Sequence, residues 1–491
     1  MVDTAIKIHD KFSFEIKWTY KLGAAKKSNI YAIDTYLFIP GSLDINKSTY
    51  KKETFYNDLK IYIRFKTPVY LLREISHGGK SPLNKLKKSF KKMVSKNEVK
   101  SILNYEYNIK MFCCIFKSSI RDHISHIRKN GIKTENLYLI SNYIENVKKM
   151  LLSFRELREI IDVPKIREEI FLIYMFADEY LSNISETYTT NLIELIENQK
   201  TKNFDKIKNK LLTLSLAEVK YRKDNKYKTI PQKEGTNEEL LYRRSVLRKY
   251  MENKLFLDIH SVRHGKIMEQ LLFGIAAGIA MVFTTIIAFT AQSTFGNLTL
   301  PFFIILVVSY MFKDRIKELL RFYFSGRIKK LFFDHKVKIY DDKKKILGHC
   351  KESFAFLKEK YISLGVLKIR NRKHITEIEN GWMKEKIILY RKRVKIFAKS
   401  FQKIYPDYKI DSVNDITRFS ITHFLNKMDN PQTRILLSTG NKLQELSGDR
   451  VYHLNMVINY NKDNYSFLKR FRIVLNKDGI KRIEKVSSEI D

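Results

Sequence analysis

The stretch at 271–291, LLFGIAAGIAMVFTTIIAFTA, runs for 21 residues without a charge. As a helix it would reach roughly 31 Å, the thickness of a bilayer's hydrocarbon core. A short uncharged link at 292–297 leads into a second apolar run at 298–312, LTLPFFIILVVSYMF. Counted from Phe295, that run would cover about 27 Å, with Pro301 in its first turn, where a missing N–H costs little. Soluble helices rarely lack polar residues all round. The pair therefore reads as a two-helix transmembrane hairpin over 268–312 rather than the buried hairpin of a soluble core.

Charge on either side sets the expected topology. The 491 residues hold 92 Lys+Arg against 53 Asp+Glu, a formal net charge of +39, and at 44% hydrophobic the chain is too apolar for a disordered basic tail. Residues 1–270 carry a net +19, residues 271–312 carry none, and residues 313–491 carry +20. Arg243, Arg244, Arg248, Lys249, Lys254, Arg263 and Lys266 precede the first run. Lys313, Arg315, Lys317, Arg321, Arg327, Lys329 and Lys330 follow the second. Basic residues resist translocation, so both flanks are expected to be cytoplasmic, in a multi-pass inner-membrane protein with cytoplasmic N- and C-termini. The seven that follow the second run are expected at headgroup level, each gaining about 1 kcal/mol from anionic phospholipid. The opening MVDTAIKIHDKFSFEIKW lacks the apolar core of a signal peptide, and three cysteines fit a reducing compartment.

Within the first run, Gly274 and Gly278 form a GxxxG. Small residues at this spacing let helix backbones approach, within the hairpin or between copies of a homo-oligomer. Neither run contains Asp, Glu, Lys, Arg or His, which disfavours ion or proton transport by this chain alone.

Outside the membrane pair, 1–79 reads as a small α/β unit. Its strand candidates lie at 12–20 and 31–39, while 55–65 fits helix and strand periodicity equally, with helix favoured. Residues 80–267 read as a helical cytoplasmic region. It begins with a basic amphipathic helix carrying Leu83, Leu86, Phe90 and Met93 on one face, suited to anionic lipid or to a nucleic-acid backbone. A 4-3-4-3 rhythm from Ile140 to Ile161 and the apolar IFLIYMFA at 170–177, too short to cross a bilayer, point to packed helices. Residues 313–380 are expected to form a basic amphipathic helical stalk. Residues 381–491 are expected to form a C-terminal α+β domain, with strands at 452–460 and 467–475 paired antiparallel and a turn at Asp478–Gly479. The expected fold class is thus an α+β membrane protein, mostly helical, with small α+β units at its two ends.

Candidate chemistry is sparse. His260 and His264 stand four apart, on what reads as a helix approaching the membrane, but no carboxylate or thiol of ligand spacing accompanies them. Cys113, Cys114, His123 and His126 supply four soft ligands in a short span, yet adjacent cysteines chelate poorly. HGGKS at 77–81 lacks the glycine a phosphate loop needs, with Glu74 in its place. No hydrolase, kinase, zincin or dinucleotide motif is present. No metal or cofactor is expected.

Two segments carry a resemblance. DTYLFIP at 34–40 with Phe55, Tyr56 and Tyr62–Arg64, and FRIVLN at 471–476 with DGI at 478–480, resemble an uncharacterised family of bacterial two-helix membrane proteins. The resemblance implies a bacterial inner membrane and supplies no catalytic residues.

The expected function is that of a non-enzymatic scaffold, sensor or effector, its partners the lipid bilayer and anionic headgroups. One alternative is membrane-tethered nucleic-acid binding, with strand residues Lys469, Arg470 and Arg472 on phosphates. The other is an enzyme with an unfamiliar site.

Overall fold

The computed structural model describes residues 3–486 apart from 24–27, 77, 80, 97, 132–135, 165, 199–203, 265, 297–298, 332, 372–373, 406, 441 and 463–464. His77 and Lys80 of the HGGKS segment lie outside the described residues, as do the side chains of Arg327, Lys329 and Lys330.

The chain opens with strands β1 Asp3–Asp10, β2 Ser13–Lys21 and β3 Asn29–Ile39, helix α1 Lys52–Asp58 and strand β4 Leu59–Phe65. Seven helices follow: α2 Pro82–Lys96, α3 Val99–Asn130, α4 Leu137–Arg155, α5 Arg158–Ile161, α6 Glu168–Glu197, α7 Asp205–Asp224 and α8 Glu238–Glu252. Strand β5 Phe256–Arg263 leads to helices α9 Lys266–Phe295 and α10 Leu300–Leu331, then to strands β6 His335–Tyr340 and β7 Ile346–Leu357. Next come α11 Leu364–Arg370, α12 His374–Trp382, β8 Lys386–Ile396, α13 Ala398–Ile404, β9 Ser412–Ser420 and α14 Thr422–Leu425. Strands β10 Gln432–Thr439, β11 Lys442–Asp449, β12 Tyr452–Lys462, β13 Tyr465–Asn476 and β14 Gly479–Val486 complete the chain.

These elements form two compact units. One comprises Met1–Ile63, Leu257–Tyr405 and Ser412–Asp491, and the other Arg64–Phe256 and Pro406–Asp411. The first is organised by a single 12-stranded sheet in the order β1-β2-β9-β4-β5-β6-β7-β8-β3-β12-β13-β14. This corrects the expected class. The strands of the two chain ends are not small separate α+β units, because β3 lies between β8 and β12, with Asp34 opposite both Arg391 and Asn459. The expected stalk at 313–380 contains β6 and β7. The antiparallel β12–β13 pair is present, with Met456 opposite Phe471, but it belongs to the common sheet. The ambiguous 55–65 segment divides: α1 ends at Asp58 and β4 starts at Leu59.

The sheet curls until its edges nearly meet. The Ile480 N–H donates to the Lys11 carbonyl in the β1–β2 turn, 2.7 Å away. Gly479 allows this approach, since its φ is +130° and a Cβ there would collide with the Lys11 carbonyl. Gly479→Ala should therefore destabilise the protein by about 1–3 kcal/mol, read as a lower urea midpoint. An unchanged midpoint would mean that this closure carries no stability.

The curvature also brings charged groups together inside. Lys392 of β8 is 1% exposed. Its Nζ lies 2.6 Å from Asp415 of β9 and 3.5 Å from Glu352 of β7. Glu352 is the register partner of Lys392, but β9 is not a neighbour of β8, so the Asp415 bond crosses the interior. The Tyr20 and Thr417 hydroxyls donate to the Asp415 carboxylate at 3.1 and 3.2 Å. Burial opposes the ammonium, but Asp415 and Glu352 outweigh it and hold the Lys392 pKa above the ordinary lysine value.

The second unit is helical. Leu83, Leu86, Phe90 and Met93 of α2 are all buried, so the face expected to meet lipid is taken up by protein packing, leaving the lysines on the other side. IFLIYMFA falls in the long helix α6. From that helix Glu186 pairs with Arg222 and Arg244, and Glu179 with Arg243. Arg155 of α4 forks onto Glu218 of α7 at 2.7 and 3.2 Å.

The two-helix spanning arrangement is also corrected. Met268–Phe295 is the one described helix long and apolar enough to cross a membrane. α9 takes in Phe295, from which the second span is counted, and α10 starts only at Leu300. Residues 300–312 remain as the charge-free part of α10, about 20 Å long against a core of about 30 Å. A multi-pass inner-membrane topology is therefore not supported.

Candidate functional site

Two features of the sheet unit stand out from its packing: an apolar arm and an arginine-walled cavity. The arm is an excursion from between two paired strands. Arg263 at the end of β5 faces His335 at the start of β6, and the His264 N–H donates to the Asp334 carbonyl at 3.0 Å. Asp334 is a clamp at the returning foot. Its carboxylate takes the Lys52 ammonium, the Tyr56 hydroxyl at 3.0 Å and the Phe354 N–H at 2.7 Å. Both ends of the arm are thus held on one side of the same strand pair.

Along the arm, α9 and α10 pack through small side chains. Ala276, Ala280, Thr284 and Ala291 of α9 and Ser309 of α10 are buried. Gly274 and Gly278 are exposed, and a Cβ on either would meet nothing within 4 Å, so they lie away from the α9–α10 contact. Large apolar groups cover the outside: Phe289 is 66% exposed, Leu300 75%, Phe303 65% and Met311 68%. Only 11% of the most apolar stretch of α9 is buried.

The charges have a definite depth on this arm. The Arg321 guanidinium lies over the Phe273 ring, 5.5 Å from its centroid, which places the two positions level. Lys313 then lies about 12 Å closer to the tip. Beside the first half of α9 run Lys313, Asp314, Arg315, Lys317 and Glu318, with Arg315 3.5 Å from Glu318 and Lys317 3.9 Å from Asp314. Between Lys313 and the tip no described residue of either helix is Asp, Glu, Lys, Arg or His.

The cavity has a volume of about 430 Å³ and is lined by residues including Gly41, Arg370, Asn380, Glu385, His453, Asn455, Arg470 and Arg472. Arg370 ends α11 and pairs with Glu385 at 2.5 Å. Arg470 and Arg472 alternate with Lys469 on β13, so Lys469 turns to the opposite face, over the Phe467 ring. Arg470 donates to the Ile369 carbonyl at 3.2 Å and to the Asn455 amide oxygen at 3.0 Å. Burial, with Arg370 and Arg472 nearby, pushes its pKa down to about 10. Arg470 and Arg472 were legible in the sequence as basic strand residues. Arg370 was not, because only the tertiary fold carries the end of α11 to β13.

The other candidates do not assemble. His260 lies on strand β5, not on a helix, and His264 follows that strand. Four residues of extended chain separate their backbones by about 13 Å, too far to chelate one ion. Cys113 and Cys114 are buried in α3, where burial raises both thiol pKa values, and the His123 ring lies 3.0 Å from the Leu139 carbonyl oxygen. Among the described residues no group of three or more His, Cys, Asp or Glu could hold a metal. Comparison with protein families, characterised proteins and solved structures finds no match to this chain.

Proposed function

We propose that this chain is a membrane-attached binding protein whose arm enters one leaflet of an anionic bilayer, while the sheet stays at the headgroups. One observation carries the reading: a charge-free tip about 20 Å deep, bordered by Lys313, Arg315, Lys317 and Arg321. That depth is short of a bilayer core but ample for one leaflet. Each large side chain moved out of water gains about 1.5–3 kcal/mol, and an exposed apolar surface of this extent is atypical of a protein that stays in water. The cationic border lies where anionic headgroups would sit. Both feet of the arm leave one strand pair, so entry and exit fall on the same side. Three free, buried thiols fit the reducing, cytoplasmic face.

Flotation of the full chain with phosphatidylcholine vesicles, with and without phosphatidylglycerol, tests the attachment. The protein is expected to float with both, and more completely with the anionic lipid. Recovery of all protein at the bottom of the gradient would refute the reading. Depth is tested with Phe295→Cys and an impermeant maleimide, where protection from both aqueous sides is expected. Labelling from the far side would show a full crossing instead.

A further inference from the structure

We propose that the cavity walled by Arg370, Arg470 and Arg472 binds a small phosphoryl-bearing anion of about nucleotide size. The proposal is independent of how the arm meets lipid. Arg370 and Arg470 are 4% and 7% exposed, and the Nε of each has no hydrogen-bond partner. Both line the same cavity. Buried guanidinium groups are ordinarily paired with carboxylates. Here Glu385 is the only carboxylate among the described lining residues, and Arg370 engages it. The partners found for Arg470 are neutral oxygens, those of Ile369, Asn455 and, more distantly, Asn371 at 3.5 Å. Arg472 reaches Glu484 at 3.4 Å, outside the lining.

Three guanidinium groups facing one space, with one negative charge among them, leave a positive excess. Burial first, and then Arg370 and Arg472, depress the Arg470 pKa, with Glu385 opposing them. A bound anion would relieve the positive excess. A single carboxylate satisfies one guanidinium fork, whereas a phosphoryl group offers three oxygens to several forks at once. The volume of about 430 Å³ lies within the usual range for small-molecule sites. One wall is held close by Gly41, where a Cβ would collide with the Met383 carbonyl.

His453 adds a pH signature. Burial comes first in holding its pKa below the ordinary 6.5, followed by Arg472, with Arg482 and Arg370 adding to the effect and Glu484 opposing it. An anion in the cavity would favour the imidazolium form. By linkage, binding should therefore raise the His453 pKa, read as an upward shift of its imidazole titration.

Calorimetry on the full chain in detergent, with pyrophosphate, adenosine diphosphate and dihexanoyl phosphatidic acid as separate probes, tests the proposal. Saturable binding of at least one probe is expected, weakened tenfold or more by Arg472→Gln and by Arg470→Met. Arg472 is partly exposed, so its variant keeps the test valid if Arg470→Met fails to fold. Binding of pyrophosphate or the nucleotide identifies a soluble ligand, and binding of the phosphatidate alone identifies a lipid headgroup. The proposal is overturned if no probe binds at about 1 mM, the weak end of specific affinity. Affinity unchanged by the Arg472 variant would overturn it equally.

Discussion

Lys392→Met should lower unfolding stability by about 3–5 kcal/mol, the usual cost of removing one partner from a buried ion pair. The substitution nearly preserves volume, so the loss is electrostatic rather than a cavity effect. Asp415 and Glu352, 1% and 2% exposed, would be left without the ammonium that faces both. Asp415 would keep the Tyr20 and Thr417 hydroxyls, which offset part of the loss. Urea unfolding of wild type and variant measures the difference. The triple variant Lys392→Met, Asp415→Asn, Glu352→Gln should recover most of it, since apolar or neutral replacements of a whole buried network are often tolerated. A single variant as stable as wild type would show that the interior charges are not coupled. The pH dependence follows in sign. The folded pKa of Lys392 lies above its unfolded value, so the pair's contribution is complete below about 10.5 and is lost only as pH rises through the higher folded value.

Phe289→Asp together with Phe303→Asp should abolish vesicle flotation while leaving the fold intact. Both rings are about two-thirds exposed near the tip of the arm, so neither change opens a core. In hydrocarbon, replacing phenylalanine by aspartate costs about 3 kcal/mol per site near mid-bilayer and less toward the surface. The pair should therefore weaken partitioning by at least a hundredfold, a difference of about 2.7 kcal/mol. Circular dichroism and the urea midpoint should match wild type. Flotation unchanged by the two aspartates would mean that the tip lies outside the bilayer and would sink the proposed attachment. Arg315→Gln with Arg321→Gln should have a different effect, reducing only the preference for anionic vesicles.

The local elements were unevenly legible. Alternation in 452–460 and 467–475 marked β12 and β13, because a half-buried strand imposes a period of two on its residues. Aromatic and β-branched runs marked β2 and β3 for the same reason. Residues 55–65 resisted assignment because a helix and a strand meet at Asp58–Leu59, so each periodicity held for part of the segment. Strands β6 and β7 were missed beneath the many lysines of 313–380. In the sheet, Lys336, Lys338 and Lys351 alternate with Val337, Ile339 and Cys350. The arginine cavity was half visible: Arg470 and Arg472 stood out on one strand, but nothing local tied them to Arg370 a hundred residues earlier.

By itself, the sequence determined that this chain carries a charge-free apolar segment divided from two strongly basic flanks, since charge and hydropathy are properties of residues in order. Tertiary structure decided how deep that segment can go. It ends α9 at Phe295, lays the charged half of α10 beside it with Arg321 level with Phe273, and returns the chain to the strand it left. It also decided that β3 should join β8 to β12, which no local pattern records. Pairing between distant segments depends on the total surface buried when the sheet closes, a property no segment possesses alone.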